Sequence, residues 1–455
     1  MTMSASPASE DNWVDELDYD TQRSTHPLRA WVHDALVEPR RRIRNFYRFL
    51  GTSPGLLATV MVILLVFIAA AGIAMGRSME QRRDGFAQLI NVTEPMANSA
   101  RNLYTALSMA DTAATTSFIT DHGNSALLRD QYLEALASAE QSSLETASAV
   151  NSTDNEAAAL LLAIEQKLST YTGLIETART NDRMGNPVGV AYLAEASGLM
   201  HNDILPAASK LMDLSSTRVT SQQAVLSAPQ IFPLSGLIAA VVFLIFGHFW
   251  LAARTRRRIN VGLGLAIILM AVACSVVGFS NWKTYEAGMR GYQEAAEPLS
   301  QLTTARIAAQ RARTEETLDL VMRSSSQSNV FDPAMTSIAK ALDGETSGIS
   351  AEAKADAREQ MQDWAQAHQQ TLAFSTDGNF KQALDQVISG ESASSFAALD
   401  NYLDSFISTS RQNMRDYIVT AAGATRQMSA TVIILTVISI ICLWLGMRPR
   451  IQEYR

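Results

Sequence analysis

Arg306, Gln310 and Arg313 stand at i, i+4 and i+7. On a helix this spacing sets two guanidinium groups and an amide on one face, an arrangement that can take a carboxylate through charge-assisted hydrogen bonds. Arg101 and Asp111 occupy the corresponding stretch of an earlier segment. These five are the candidate contacts for a ligand or an acidic partner. The competing reading for the later group is a solvated face balanced by Glu315, Glu316 and Asp319. Trp364 and His368, at i and i+4, could cap a small pocket, although core packing accounts for them as well. Asp121-His122 before Gly123-Asn124 reads as a turn and not as a metal site. The chain offers no nucleophile beside a base, no metal-ligand spacing and no phosphate loop. The sequence therefore predicts no enzyme, no catalytic or metal residues and no cofactor.

Composition points away from soluble chemistry. Of 455 residues 45 are acidic and 37 basic, a net charge of -8 that argues against nucleic acid as a partner. Cys274 and Cys442 both fall inside apolar runs, which leaves no disulfide framework. Charged residues reach only 18% while hydrophobic ones reach 47%, and the apolar residues are gathered in blocks. Four blocks are long enough to span a bilayer: 55–76, about 234–252, about 259–279 and 430–447. The first starts too far into the chain and runs too long for a signal peptide, so it reads as an anchor.

Arginines near the span ends set the expected orientation, because positive charge resists translocation. Arg40, Arg41, Arg42, Arg44 and Arg48 precede the first span, Arg254, Arg256, Arg257 and Arg258 join the second to the third, and Arg448, Arg450 and Arg455 follow the fourth. All three clusters fall on one side, outnumbering Arg77, Arg82 and Arg83 on the other. The expected topology is a cytoplasmic tail (1–54), a cytoplasmic arginine-rich loop (253–258) and a cytoplasmic C-terminus (448–455). Segments 77–230 and 282–428 then lie outside the plasma membrane.

Both outer segments are rich in helix-favouring alanine, glutamate, glutamine and leucine. The first predicts helices near 77–120, 125–150, 153–181 and 188–228, with breaks at 121–124, Asn151-Ser152 and Met184-Gly185-Asn186-Pro187. The second predicts helices near 283–325, 333–346, 350–373 and from about 391. Leu161, Ile164, Leu168, Tyr171 and Ile175 form a bundle stripe. Glu94-Pro95 and Glu297-Pro298 stand at equal distances from their spans, which supports an internal duplication. The fold class is thus all-α: an integral membrane protein with four transmembrane helices and two tandem extracytoplasmic four-helix bundles. Pro95, Pro206 and Pro298 are the candidate kinks between stalk and bundle.

Within the membrane, Gly72 with Gly76 and Gly262 with Ala266 offer small faces for close span packing, and His248 sits near a span end. The tail interleaves acidic with large apolar residues, including Trp13, Asp15, Glu16 and Tyr19. This pattern belongs to segments that fold on a partner, and Thr21, Ser24 and Thr25 beside it are candidate phosphoacceptors. Together with Arg254, Arg256, Arg257 and Arg258 these residues form the candidate cytoplasmic output surface. The Leu28–Arg48 stretch reads as lying on anionic membrane lipid.

A span feeding a helical bundle that returns to a second span resembles the input domains of bacterial chemoreceptors and sensor kinases, without their output modules. The duplicated arrangement, the basic-flanked spans and the string Pro187-Val188-Gly189-Val190-Ala191-Tyr192-Leu193-Ala194-Glu195-Ala196-Ser197 resemble the GlnX-type membrane transducers of actinobacteria. That resemblance implies an extracytoplasmic amino-acid-binding lipoprotein that senses glutamate or aspartate, and a cytosolic Ser/Thr protein kinase governing 2-oxoglutarate and nitrogen metabolism. A homodimer is among the assemblies the layout allows. The rival readings are an envelope scaffold, a directly ligand-binding chemoreceptor-like sensor, and a transporter, against which the nearly charge-free spans argue.

Overall fold

The computed structural model describes residues 53–118, 125–150, 154–255, 260–322, 330–426 and 428–452. Trp13, Asp15, Glu16, Tyr19, Thr21, Ser24, Thr25, Arg256, Arg257 and Arg258 lie outside the described residues, as do the breaks expected at 121–124 and Asn151-Ser152.

The first apolar run forms α1 (Ser53–Gln88), passes through one π turn (Leu89–Thr93) and continues as α2 (Glu94–Ser117). Then come α3 (Ser125–Ala149), α4 (Asn155–Arg183), α5 (Val188–Leu199), a second π turn (Met200–Ile204) and α6 (Leu205–Ser227). The second and third apolar runs are α7 (Ile231–Thr255) and α8 (Val261–Gly291). A third π turn (Tyr292–Ala296) leads from α8 into α9 (Glu297–Met322), followed by α10 (Phe331–Asp343), α11 (Ala351–Thr376), α12 (Phe380–Ile388), α13 (Glu391–Arg426) and the last apolar helix, α14 (Met428–Gln452). Among the described residues no strand occurs. Among the described residues four helices are long and apolar enough to cross a membrane, and the chain is a helical multi-pass membrane protein.

Each π turn stands just ahead of a proline, Pro95, Pro206 or Pro298. Proline lacks an N–H, and its ring collides with the carbonyl four residues back. The residue before each proline donates to the carbonyl five residues back: Glu94 to Leu89, Leu205 to Met200 and Glu297 to Tyr292. Widening the turn in this way takes the ring into the helix without ending it. The candidate kink positions are therefore marked by π bulges in helices that continue through them.

The sequence misplaces one element. Residues 374–390 read as a connection, yet they contain α12, reached through Gly378 at φ +77°. A nine-residue helix between turns leaves too short a pattern for periodicity to find. The second outer segment thus has one more helix than a four-helix bundle. The expected break after α4 is present, with Gly185 at φ +66°.

Two compact units divide the chain. One takes the described residues up to Ala70, Ala240–Met270 and those from Val437 onward. In it Gly247 meets the side chain of Leu64, and the rings of Phe67 and Phe243 lie 4.7 Å apart. Asn260 accepts from the Gly262 and Leu263 amides and donates to the Gly446 carbonyl at 3.0 Å. Val62, Ile63, Val66, Phe246 and Phe249 are exposed, an apolar exterior suited to lipid.

A Cβ on Gly262 would stand 2.5 Å from the Cys442 carbonyl oxygen and 2.5 Å from the Gly446 Cα. These neighbours are backbone and cannot rotate away, so Gly262→Leu is expected to force the two helices apart. Thermal unfolding of the purified full-length protein should show a loss of about 1–3 kcal/mol. Gly236→Leu, where nothing lies within 4 Å, serves as the control, and equal melting of the two variants would contradict the close packing.

The other unit holds Ala71–Ala239 and Ala271–Thr436, so both outer segments belong to one body. Leu161, Ile164, Leu168, Tyr171 and Ile175 are all buried, in a core with Leu103, Leu107, Leu193 and Leu211. A second core gathers Leu302, Ile338, Trp364, Leu399 and Phe406, and it also takes Phe86, Leu89, Ala97 and Val219 from the first segment. The two segments pack along α2 and α9, where the hydroxyls of Thr112 and Thr314 meet at 2.9 Å.

Candidate functional site

The Arg306 group faces inward. Arg306 donates from Nε and Nη2 to both oxygens of Asp400 at 2.8 Å, and from Nη1 to Asp404. Gln310 reaches Asp400 at 3.4 Å. Arg313 donates to Glu316 at 2.7 Å, to Ser392 at 2.8 Å and to the Val387 carbonyl, while its guanidinium stands 5.4 Å from the Phe396 ring centre. This corrects the solvated-face reading: the carboxylates are supplied from within the chain, by α9 and α13. It also removes Arg306 and Arg313 as docking contacts, since an incoming carboxylate would have to displace internal ones. The Arg313–Val387 bond explains the hold on α12, because an arginine suits the carbonyl end of a helix.

Glu316 is almost fully buried and also takes a 2.8 Å hydrogen bond from His368. Burial alone would push its carboxyl up. The His368 hydrogen bond and the Arg313 guanidinium outweigh burial and hold it below the ordinary carboxylate value. His368 stacks on Phe331 at 3.7 Å, and Trp364 is enclosed by Phe331 and Phe396. Trp364 is a core residue, and His368 packs at the edge of that core.

Asp111 plays the matching part in the first segment. It is fully buried, with Tyr171 donating to one carboxylate oxygen at 3.2 Å and Ser197 to the other at 3.0 Å; His201 lies 3.7 Å away. Burial raises its carboxyl above the ordinary value, against the opposing pull of His201 and the two hydroxyls. Asp111 therefore ties α2 to α4, to α5 and to the π turn after α5, which makes it an internal fastening and not a ligand contact. The string beginning at Pro187 forms α5 and supplies Ser197. Its Gly189 lets α5 approach α4, since a Cβ there would stand 2.9 Å from the Ala178 carbonyl oxygen.

Arg101 differs from the other candidates. It is only 8% exposed, yet its Nε has no hydrogen-bond partner, and it forms no ion pair among the described residues. The buried acid Glu94, two turns earlier on the same face of α2, is already taken by Arg411 at 2.7 Å and Arg415 at 3.3 Å. Burial, with repulsion from Arg411, lowers the Arg101 guanidinium to about 10, and Glu94 offsets this in part. Arg101 opens onto a cavity between the two segments. Sequence reading missed Glu94, Arg411 and Arg415 as a cluster. The i, i+4 arginine pair was visible, but its acid lies more than 300 residues away.

A fourth polar cluster lies between the outer helices and the apolar runs. Arg82 is buried and donates to the Leu226 carbonyl at 2.5 Å, the Ala228 carbonyl at 3.2 Å and Asn281 Oδ1 at 2.8 Å. Burial lowers its guanidinium to about 10. The two carbonyls belong to the end of α6, where Ala228 turns to extended backbone and Pro229 follows. Gln230 adds a bond to the Ser78 carbonyl at 3.1 Å. As a charge, Arg82 counts against the expected orientation; in the fold it closes the C-terminus of α6.

Helical segments continuous with membrane-length apolar helices define a class, the helical multi-pass membrane proteins. Residues 85–224, within the first outer segment, match the family model described as the actinobacterial sensor domain. Neither curated proteins nor solved structures gave a match.

Proposed function

We propose that the protein is a multi-pass plasma-membrane signal transducer, with both termini and the arginine-rich loop cytoplasmic and the sensor segments outside. In this reading it relays extracytoplasmic glutamate- or aspartate-type amino-acid status, received through a solute-binding lipoprotein, to a cytosolic Ser/Thr protein kinase that controls 2-oxoglutarate and nitrogen metabolism. It does so without a catalytic step of its own. The observation that carries this reading is the helical continuity from Gly55 to Ser117 and from Val261 to Met322. A displacement at the sensor end of such a helix is passed along its axis, since packed helices shift between discrete arrangements. Residues 1–54 and 253–258 would bind the output protein.

Crosslinking the tagged full-length protein in intact cells, with partners identified by mass spectrometry, tests this. Recovery of an amino-acid-binding lipoprotein together with a protein kinase is the expected result. Recovery of envelope-assembly or division proteins, with neither of those, would replace the transducer with a scaffold.

A further inference from the structure

The cavity beside Arg101 has a volume of about 360 Å³, near the small end of the range of roughly 300–1,000 Å³ found for ligand pockets. Its wall includes Arg101 on α2, Asp213, Thr217 and Thr220 on α6, and Glu297 and Thr304 on α9. Both outer segments contribute, so any occupant would touch both. A buried guanidinium without a partner is costly, because it gives up water and receives nothing in return. Every other buried arginine among the described residues has an anion, a carbonyl or an aromatic ring to face: Arg82, Arg179, Arg306 and Arg313. Among the described residues Arg101 is the buried arginine without such a partner, and it lines this cavity.

We propose that this cavity is a binding site for a small, singly charged carboxylate, with Arg101 as the group that pairs with it. A guanidinium matches a carboxylate as a planar fork. The Thr217 hydroxyl can serve the remainder of a polar molecule, and those of Thr220 and Thr304, which donate to backbone carbonyls, can accept from a donor on it. Asp213 and Glu297 are exposed and line the same cavity. They repel a second negative charge and disfavour phosphate or a dicarboxylate, while an amine on the ligand would be welcome beside them. Occupancy would bridge α2 and α6 to α9 and so favour one arrangement of the two segments. That consequence rests on the transducer reading, whereas the binding itself does not.

The test uses the full-length protein in lipid nanodiscs, titrated with acetate, alanine, succinate or inorganic phosphate and followed by melting temperature. A saturable rise with acetate or alanine is expected, with succinate and phosphate weaker. Arg101→Gln should weaken that binding at least about tenfold, equivalent to about 1.4 kcal/mol, while melting no lower than the unaltered protein without ligand. Arg101→Lys, which keeps the charge but loses the fork, should retain part of the affinity. No saturable rise with any probe, an unchanged response in Arg101→Gln, or phosphate as the strongest binder would each overturn the proposal. Binding in a protein that crosslinks to no kinase would keep this site and sink the transducer reading; the reverse pattern would do the opposite.

Discussion

Glu316→Ala is expected to cost about 3–5 kcal/mol of folding stability, the range for removing one partner from a buried charge pair. Glu316 is the only acid among the described residues bonded to Arg313, and it also receives His368 and Ser392. Its loss leaves the Arg313 guanidinium facing Val387 and Ser392 with an uncompensated charge. The same site carries a pH dependence whose sign follows from the carboxyl. Its folded-state value lies below the ordinary 4.5, so the stability it contributes is fully present above about 4.5 and is lost as pH falls through the lowered value. Unfolding of the solubilised full-length protein across pH 7 to 3 should therefore show a steeper acid loss than Glu316→Gln shows over the same window. If the two curves run parallel, the Glu316 network contributes nothing to acid sensitivity. If Glu316→Ala melts with the unaltered protein, the pair adds nothing net, as happens where desolvation cancels attraction.

Arg82→Met should lose about 2–4 kcal/mol, because it strips donors from three buried acceptors at about 1–3 kcal/mol each and recovers part of this by removing a desolvated charge. Two of those acceptors are the carbonyls that end α6, so the loss should be local as well as global. Amide hydrogen exchange at residues 224–231 should rise sharply in Arg82→Met and only modestly in Arg82→Lys, which keeps one donor group. Unchanged exchange there would mean that Pro229 alone ends the helix. Arg82 also links α1 to α8 through Asn281. In a transducer, the variant should accordingly uncouple ligand response from output even at temperatures where it stays folded.

The sequence by itself determined the class. Apolar runs of span length have one reading, because a backbone in lipid must satisfy its own hydrogen bonds. The stripe from Leu161 to Ile175 needs only helical geometry to become a buried face. The turns at Gly185 and before α11 follow from a glycine that accepts positive φ and a serine that caps: Ser350 accepts from the Ala353 amide at 3.1 Å. The glycines at 72, 76 and 262 likewise announced close packing, although the sequence did not say against which helix. Each of these signals is local, and local sequence carries it.

Charge was decided by tertiary structure. Arg306 and Arg101 look alike in their immediate surroundings, each following an alanine on a helix with no acid within four residues. Asp400, from a helix 94 residues on, answers the first, and no described residue answers the second. The acid that acts on Arg101 went elsewhere: Glu94 is bonded to Arg411 and Arg415. The same applies to Arg82, whose charge argued for one side of a membrane while its position closed a helix. Periodicity says which face a residue occupies and stays silent about what stands opposite. Whether a buried charge becomes a fastening or an open binding group depends on that opposite face, which only the folded chain supplies.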